Sequence, residues 1–254
     1  MNLISHHHNS ANNTANNTAN NSPHHSGLLV INKPKTWTSF DVVAKIRGKF
    51  KVKKVGHTGT LDPMATGVLV LCLGKATKLA QELTGLDKEY VGEITLGATS
   101  NTDDAEGEVI ENLDAKSVSL EQIQEVLKAF QGEILQLPPQ FSAKKVNGKR
   151  AYAVARKGGT VELKPVQIKI NEIEILDYQW PKLKLRIDCG KGTYIRSIAR
   201  DVGEKLGVGG YLSALERTRV GDFKIEQAKT IEEVSEDDVI LISNIPTTKF
   251  KIPK

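Results

Sequence analysis

The sequence predicts an α+β protein built on a mixed or antiparallel central sheet flanked by helices and loops. Three observations carry that expectation. Apolar runs of strand length and apolar patterns of helical period follow one another irregularly, without the regular alternation of a parallel α/β fold. Leu183, Leu185, Ile187 and Cys189 alternate with Lys184, Arg186 and Asp188, the pattern of a strand with one buried face. The content of 39% hydrophobic and 26% charged residues is ordinary for a globular chain of 254 residues.

The elements follow in chain order. Residues 1–26 contain no Asp, Glu, Lys or Arg, hold five of the six histidines, and repeat Asn-Asn-Thr. Such a segment cannot bury a core and reads as a disordered leader that resembles an expression tag. The folded body is therefore expected over residues 27–254. Gly27–Ile31 forms a short buried strand stopped by Pro34. Ser39 is placed to cap a helix from Phe40 to about Phe50, with Val42, Val43, Ile46 and Phe50 on one face. Gly67–Leu73 is a buried strand, and Ala76–Leu83 a helix. Ser119 and Gln122 have capping-box spacing ahead of a helix ending near Gly132. Tyr194–Leu206 is a helix closed by Gly207.

Several classes are excluded at once. The longest apolar run, Val68–Leu73, is far short of the roughly 20 residues that span a bilayer, so no integral membrane protein is expected. Cys72 and Cys189 are too few for a disulfide framework and lack zinc-site spacing, which suggests a reduced, cytoplasmic setting. No heptad pattern asks for an obligate assembly, so a monomer without an obligate protein partner is expected.

Charge is uneven along the chain. Residues 45–54 hold six bases and no acid, and residues 144–164 hold seven bases against Glu162 alone. With a formal charge of +5 and Phe50, Phe141 and Tyr152 nearby, these stretches point to a polyanion, because Lys and Arg displace counterions from phosphates. Residues 87–114 hold nine acids against Lys88. No function is assigned to that acidic stretch at this level.

The chemistry concentrates in Gly56-His57-Thr58-Gly59-Thr60-Leu61-Asp62-Pro63-Met64-Ala65-Thr66-Gly67. Three glycines and a proline in twelve residues specify an unusual backbone path that brings main chain close to a ligand. Asp62 is the only acid between residues 42 and 81, a window with eight bases. Such surroundings keep a carboxylate ionised, which suits a nucleophile or base. Local sequence alone also allows an Asp-Pro turn whose carboxylate caps a backbone.

That stretch, continued through Val68–Lys78, resembles the catalytic motif of the TruB family of bacterial tRNA pseudouridine-55 synthases. Other segments are similar in the same order: Asn32-Lys33-Pro34-Lys35-Thr36-Trp37-Thr38-Ser39, Asp87-Lys88-Glu89-Tyr90, Pro138–Tyr152, Cys189–Arg196 and Leu215–Gly221. The resemblance implies a pseudouridine synthase fold and conversion of uridine to pseudouridine in the T loop of tRNA. Breaking the C1′–N1 bond, turning the uracil and rejoining it through C5 oxidises nothing, so no cofactor and no metal are expected.

The resemblance also implies roles. Asp62 is the essential carboxylate, acting on C1′, on the uracil ring or through a glycal route, and the sequence leaves all three open. Arg196 pairs with it. Tyr90 stacks on the uracil, with a hydroxyl able to help remove the C5 proton. Tyr194 and Leu215 close the base pocket, His57 lies against the flipped nucleotide, and Lys33 is a basic residue near the site. Reaching the base requires an everted nucleotide in a structured stem-loop. Two departures stand out. Thr36 occupies a usual glycine position, which alters that turn while sparing the chemistry. The short segment after Gly221 leaves no room for a complete C-terminal PUA domain, so residues 27–254 are expected to supply nearly all the RNA contacts. An RNA-binding or RNA-folding protein with secondary activity is the alternative.

Overall fold

A computed structural model describes residues 26–244, apart from 143, 147–148 and 156–157. Residues 1–25 of the expected leader, and bases Arg156 and Lys157 of the second basic stretch, lie outside the described residues. The strands are β1 (Gly27–Lys33), β2 (Val55–His57), β3 (Thr66–Leu73), β4 (Lys88–Leu96), β5 (Ala98–Ser100), β6 (Val109–Glu111), β7 (Gly132–Gln136), β8 (Lys145–Val146), β9 (Lys149–Arg150), β10 (Val166–Gln179), β11 (Lys182–Cys189), β12 (Gly210–Val220), β13 (Phe223–Lys224) and β14 (Ile240–Leu241). The helices are α1 (Ser39–Lys49), α2 (Ala80–Thr84), α3 (Leu120–Lys128), α4 (Ala151–Ala155) and α5 (Ile195–Lys205).

The main sheet runs β14-β1-β3-β12-β4-β11-β10-β7, with β2 also on β3 and β13 also on β12. The α+β class and the mixed sheet are as expected: β12 and β3 run parallel, and the other pairs in this sheet are antiparallel. β1 and β3 read as continuous apolar runs because both faces are covered. Leu29, Ile31, Leu69 and Leu71 point into one core, while Leu28, Val30, Val68 and Val70 point into another. The larger core takes Val42, Val43 and Ile46 from α1 and Phe50 from its C-cap. Phe50 is thus a buried anchor and is not available to stack on RNA.

Details at three helices differ from expectation. Thr38, not Ser39, caps α1 through a reciprocal box with Asp41. The Ala76–Leu83 helix begins as a 3-10 turn over Gly74–Leu79 and becomes α-helical only at Ala80. α3 has the expected Ser119–Gln122 box but stops at Ala129, before Gly132 opens β7 with φ 86. At α5, Tyr194 and Leu206 are the caps and Gly207 follows with φ 74, in the usual glycine position. Cys72 and Cys189 are free and buried, and burial pushes both thiols up to about 12.

Thr36 has φ 73, in the left-handed region that glycine adopts without cost. Its N–H donates to the Pro63 carbonyl at 2.8 Å, so this strained turn touches the loop that carries Asp62. Replacing it by glycine relieves about 1–3 kcal/mol of strain against about 0.4–1 kcal/mol of unfolded-chain entropy. Thr36→Gly is therefore expected to stabilise the protein by roughly 1 kcal/mol in urea melts; a loss of stability would contradict this account of the turn.

Candidate active site

The Asp62 loop is tied down along its length. Ser39, freed from capping, accepts from Leu61 N–H at 2.8 Å and donates to the Leu61 carbonyl at 3.1 Å. The first turn of α1 thereby fixes the residue before Asp62. Lys33 is fully buried, and its ammonium donates to the carbonyls of Pro34, Trp37 and Pro63 at 2.9, 2.6 and 3.4 Å. It locks the 34–37 turn against the residue after Asp62. Burial lowers its pKa to about 8, with Asp62 opposing the shift. Lys33 is thus the basic residue near the site that the resemblance implies, but its ammonium is buried and engaged by three carbonyls and so is not free to contact a substrate.

Arg196, near the start of α5, meets Asp62 with two prongs, Nε to Oδ2 at 3.0 Å and Nη2 to Oδ1 at 3.4 Å. Its side chain is 6% exposed, while that of Asp62 is 35% exposed, so the carboxylate keeps an open side. Arg196 has other anchors as well. Nη1 donates to the Thr102 carbonyl at 3.1 Å and lies 3.5 Å from Asp104 Oδ2, and Nη2 donates to the Phe141 carbonyl at 2.9 Å. A planar fork with this many fixed acceptors has one orientation. One turn along α5, Arg200 pairs with Asp103 at 2.9 Å and donates to the Leu137 carbonyl at 2.9 Å. Gln136 grips the entry to α5 by accepting from Tyr194 N–H at 2.9 Å and donating to the Tyr194 carbonyl at 3.1 Å.

The acidic stretch therefore acquires a place: Asp103 and Asp104 fold onto the arginines of α5, and Asp104 is buried. Sequence reasoning missed Asp104, since nothing local in Asn101–Gly107 says that the turn returns to a distant helix. It also missed Arg217 on β12, whose position within Leu215–Gly221 was visible but whose burial was not.

The bases that surround Asp62 in sequence do not surround it in space. Lys45, Arg47, Lys49, Lys51, Lys53 and Lys54 are exposed, and the groups that act on Asp62 are Arg196, Asp104 and Lys33. Burial pushes the Asp62 carboxyl above its ordinary 3.8, Arg196 pulls it down, and Asp104 pushes it up. The expectation of an easily ionised carboxylate is corrected accordingly, because burial penalises the charge and a second carboxylate adds to the penalty. The sign of the pH effect follows. If the ionised form reacts, turnover is complete above the raised pKa and lost as pH falls through it. The acid limb of the single-turnover rate is expected above 3.8; a rate unchanged down to pH 4 would contradict it.

The other predicted residues divide by environment. Tyr90 on β4 is 9% exposed, faces Ile187 on β11 and Arg217 on β12, and has its phenol pushed up by burial, so the resting hydroxyl is protonated. It is thus a donor before it can be a base. Leu215 is buried in the same core as Tyr90, opposite Gly92, a position where the absent side chain leaves space for Leu212, Ile195 and Leu215. Tyr194 caps α5 and is half-buried. His57 is half-buried at the end of β2, and its Nδ1 accepts from Gly59 N–H at 3.3 Å. Burial and the charge of Arg217 push its pKa below 6.5, which keeps the imidazole neutral at pH 7. The charge of Asp62 acts on Lys33, Tyr90 and Tyr194.

The family model for the TruB family pseudouridylate synthase N-terminal domain matches residues 47–195, more than half of the chain. The chain belongs to the TruB family. A second model, for the tRNA pseudouridylate synthase B C-terminal domain, matches residues 196–244. Among curated relatives, tRNA pseudouridine synthase B of Francisella tularensis subsp. tularensis is 47% identical over 90% of this chain and 77% of its own length. The protein of the same description from Francisella philomiragia is 48% identical over 83% of this chain and 70% of its own. Among solved structures, a Cbf5–Nop10–Gar1 complex contains a chain similar at a TM-score of 0.66 and 31% identity, covering 89% of this chain. A structure of an H/ACA RNP bound to a substrate RNA containing 2′-deoxyuridine gives 0.63, 30% and 89%. This chain spans about three fifths of those two chains, 61% and 60%. The TruB family residues thus sit on a pseudouridine synthase fold.

Proposed function

We propose that the protein isomerises uridine to pseudouridine in the T loop of tRNA, at position 55, with Asp62 as the essential carboxylate. The observation that carries the proposal is the two-pronged Arg196–Asp62 contact, which leaves one face of the carboxylate open in a chain of the TruB family. The everted uridine would enter on that face, with Tyr90 and Leu215 beside the base, Tyr194 closing over it and His57 against the flipped nucleotide. Arg196 aims the carboxylate and offsets part of the burial penalty, so that a charged oxygen meets the sugar–uracil junction. Protonated Tyr90 can donate to the detached uracil before receiving the C5 proton becomes possible. We infer further that it works in the cytoplasm as a monomer, with residues 27–254 as the catalytic domain, a setting that a tRNA substrate supports.

The exposed bases of residues 45–54 suit contact with the phosphate backbone, and Lys49 also ties α1 to the Ile231 and Glu232 carbonyls at 2.8 Å each. If they grip RNA, affinity for tRNA should drop on the order of 10²-fold or more between low and moderate salt. A flat dependence in filter binding would remove them from the interface. The deciding assay incubates purified protein with unmodified tRNA transcript and measures pseudouridine, alongside a transcript with cytidine at position 55. Product from the first alone is expected. Tight binding with no product would instead favour an RNA-binding or RNA-folding role.

A further inference from the structure

Arg217 is the largest fully buried side chain of the described residues, 1% exposed, and no carboxylate among those residues pairs with it. A buried cation without a counter-charge is costly and needs a reason. Its strand supplies one. β12 lies between β3 and β4, so Arg217 stands opposite Gly67 on one side and Tyr90 on the other. Gly67 has φ 97, and a side chain there would run into the Arg217 backbone, so the two strands close tightly at this point. From that position Nη2 donates to the Gly59 carbonyl at 3.1 Å, Nη1 to the Thr60 carbonyl at 3.5 Å and Nε to the Val68 carbonyl at 2.7 Å. Gly59 and Thr60 precede Asp62 and Val68 follows it, so one guanidinium holds both feet of the loop. Across the strands Arg217 is the register partner of Tyr90, and its charge acts on the buried phenol.

We propose that Arg217 is a positioning residue for the reaction: it staples the two feet of the Asp62 loop to β12 beside its cross-strand partner Tyr90, and so sets the spacing of carboxylate and phenol across the base pocket. Arg196 aims the carboxylate from the helix side, whereas Arg217 fixes it from the sheet side and never meets the RNA. The role needs a fork, because a lysine ammonium is a single point that cannot span the Gly59, Thr60 and Val68 carbonyls with the same geometry. It rests on the synthase reading above.

The test compares Arg217→Lys, which keeps the charge, with Arg217→Met, which removes the charge together with its burial cost. Single-turnover pseudouridine formation, tRNA affinity by filter binding and thermal melting are measured side by side. Both variants should lose about tenfold to a hundredfold in rate, the scale of a misplaced reacting group, with affinity within about twofold of the unaltered protein. In a Tyr90→Phe background the further loss from Arg217→Lys should be smaller than in the unaltered protein, because the spacing to the phenol no longer counts while that of the loop still does. A full rate in either variant, parallel losses of rate and affinity, or an undiminished loss in the Tyr90→Phe background would overturn the proposal. Failure of both variants to fold would make Arg217 a purely structural residue and end it too. Absence of product from the unaltered protein would instead sink the synthase reading itself, a result distinct from all of these.

Discussion

Asp62→Asn should abolish turnover, by at least about 10³-fold in the single-turnover rate, while leaving tRNA affinity nearly unchanged. The substitution keeps the shape of the side chain and removes the charge on which each of the three covalent routes depends. Its effect on stability should have the opposite sign. A carboxyl whose pKa is raised by folding binds its proton more tightly in the native state, so at neutral pH its ionised form costs stability. The Asn variant also leaves Arg196 with Asp104 alone, one charge against one. Melting temperature is therefore expected to stay level or rise as activity disappears. An Asn variant that turns over at the parental rate would remove Asp62 from the mechanism, and one that loses activity only because it unfolds would leave the carboxylate without a demonstrated catalytic part.

Arg196→Lys carries the second large effect. The guanidinium serves Asp62, Asp104 and the carbonyls of Thr102 and Phe141 from one plane. An ammonium retains the charge but cannot reproduce those directions, so turnover should fall by about 100-fold with little change in tRNA binding. Arg196→Ala goes further, because it leaves Asp104, 4% exposed at its side chain, as a buried charge without its partner. That loss is on the order of 3 kcal/mol, readable in urea melts. Equal losses of rate and affinity in the lysine variant would recast Arg196 as an RNA grip. The pair of variants also separates the two jobs of this residue, since one reports on aim and the other on charge balance.

Much of the fold is legible in local residue patterns. The alternation over Leu183–Cys189 and the unbroken apolar run ending at Leu73 gave strands because side-chain period and two-sided burial are local signals. The Ser119–Gln122 box and Gly207 marked helix ends for the same reason. Boundaries were less secure where two residues compete for one role. Thr38 and Ser39 can both cap a helix, and only the demand of Leu61 for a partner assigns Ser39 elsewhere.

Local residue patterns carried the α+β class and the motif around Asp62, and the family resemblance added Arg196, Tyr90, Tyr194 and Leu215 as its expected companions. The tertiary structure alone decided what those groups experience. It removed the neighbouring lysines from Asp62, brought Asp104 to Arg196, buried Lys33 against three carbonyls, and set Arg217 behind Tyr90 and both feet of the loop. The reason is physical. Residue type and spacing report what a chain can form locally, whereas burial and charge fall off with distance through space, and a mixed sheet puts residues far apart in sequence within a few ångströms of one another.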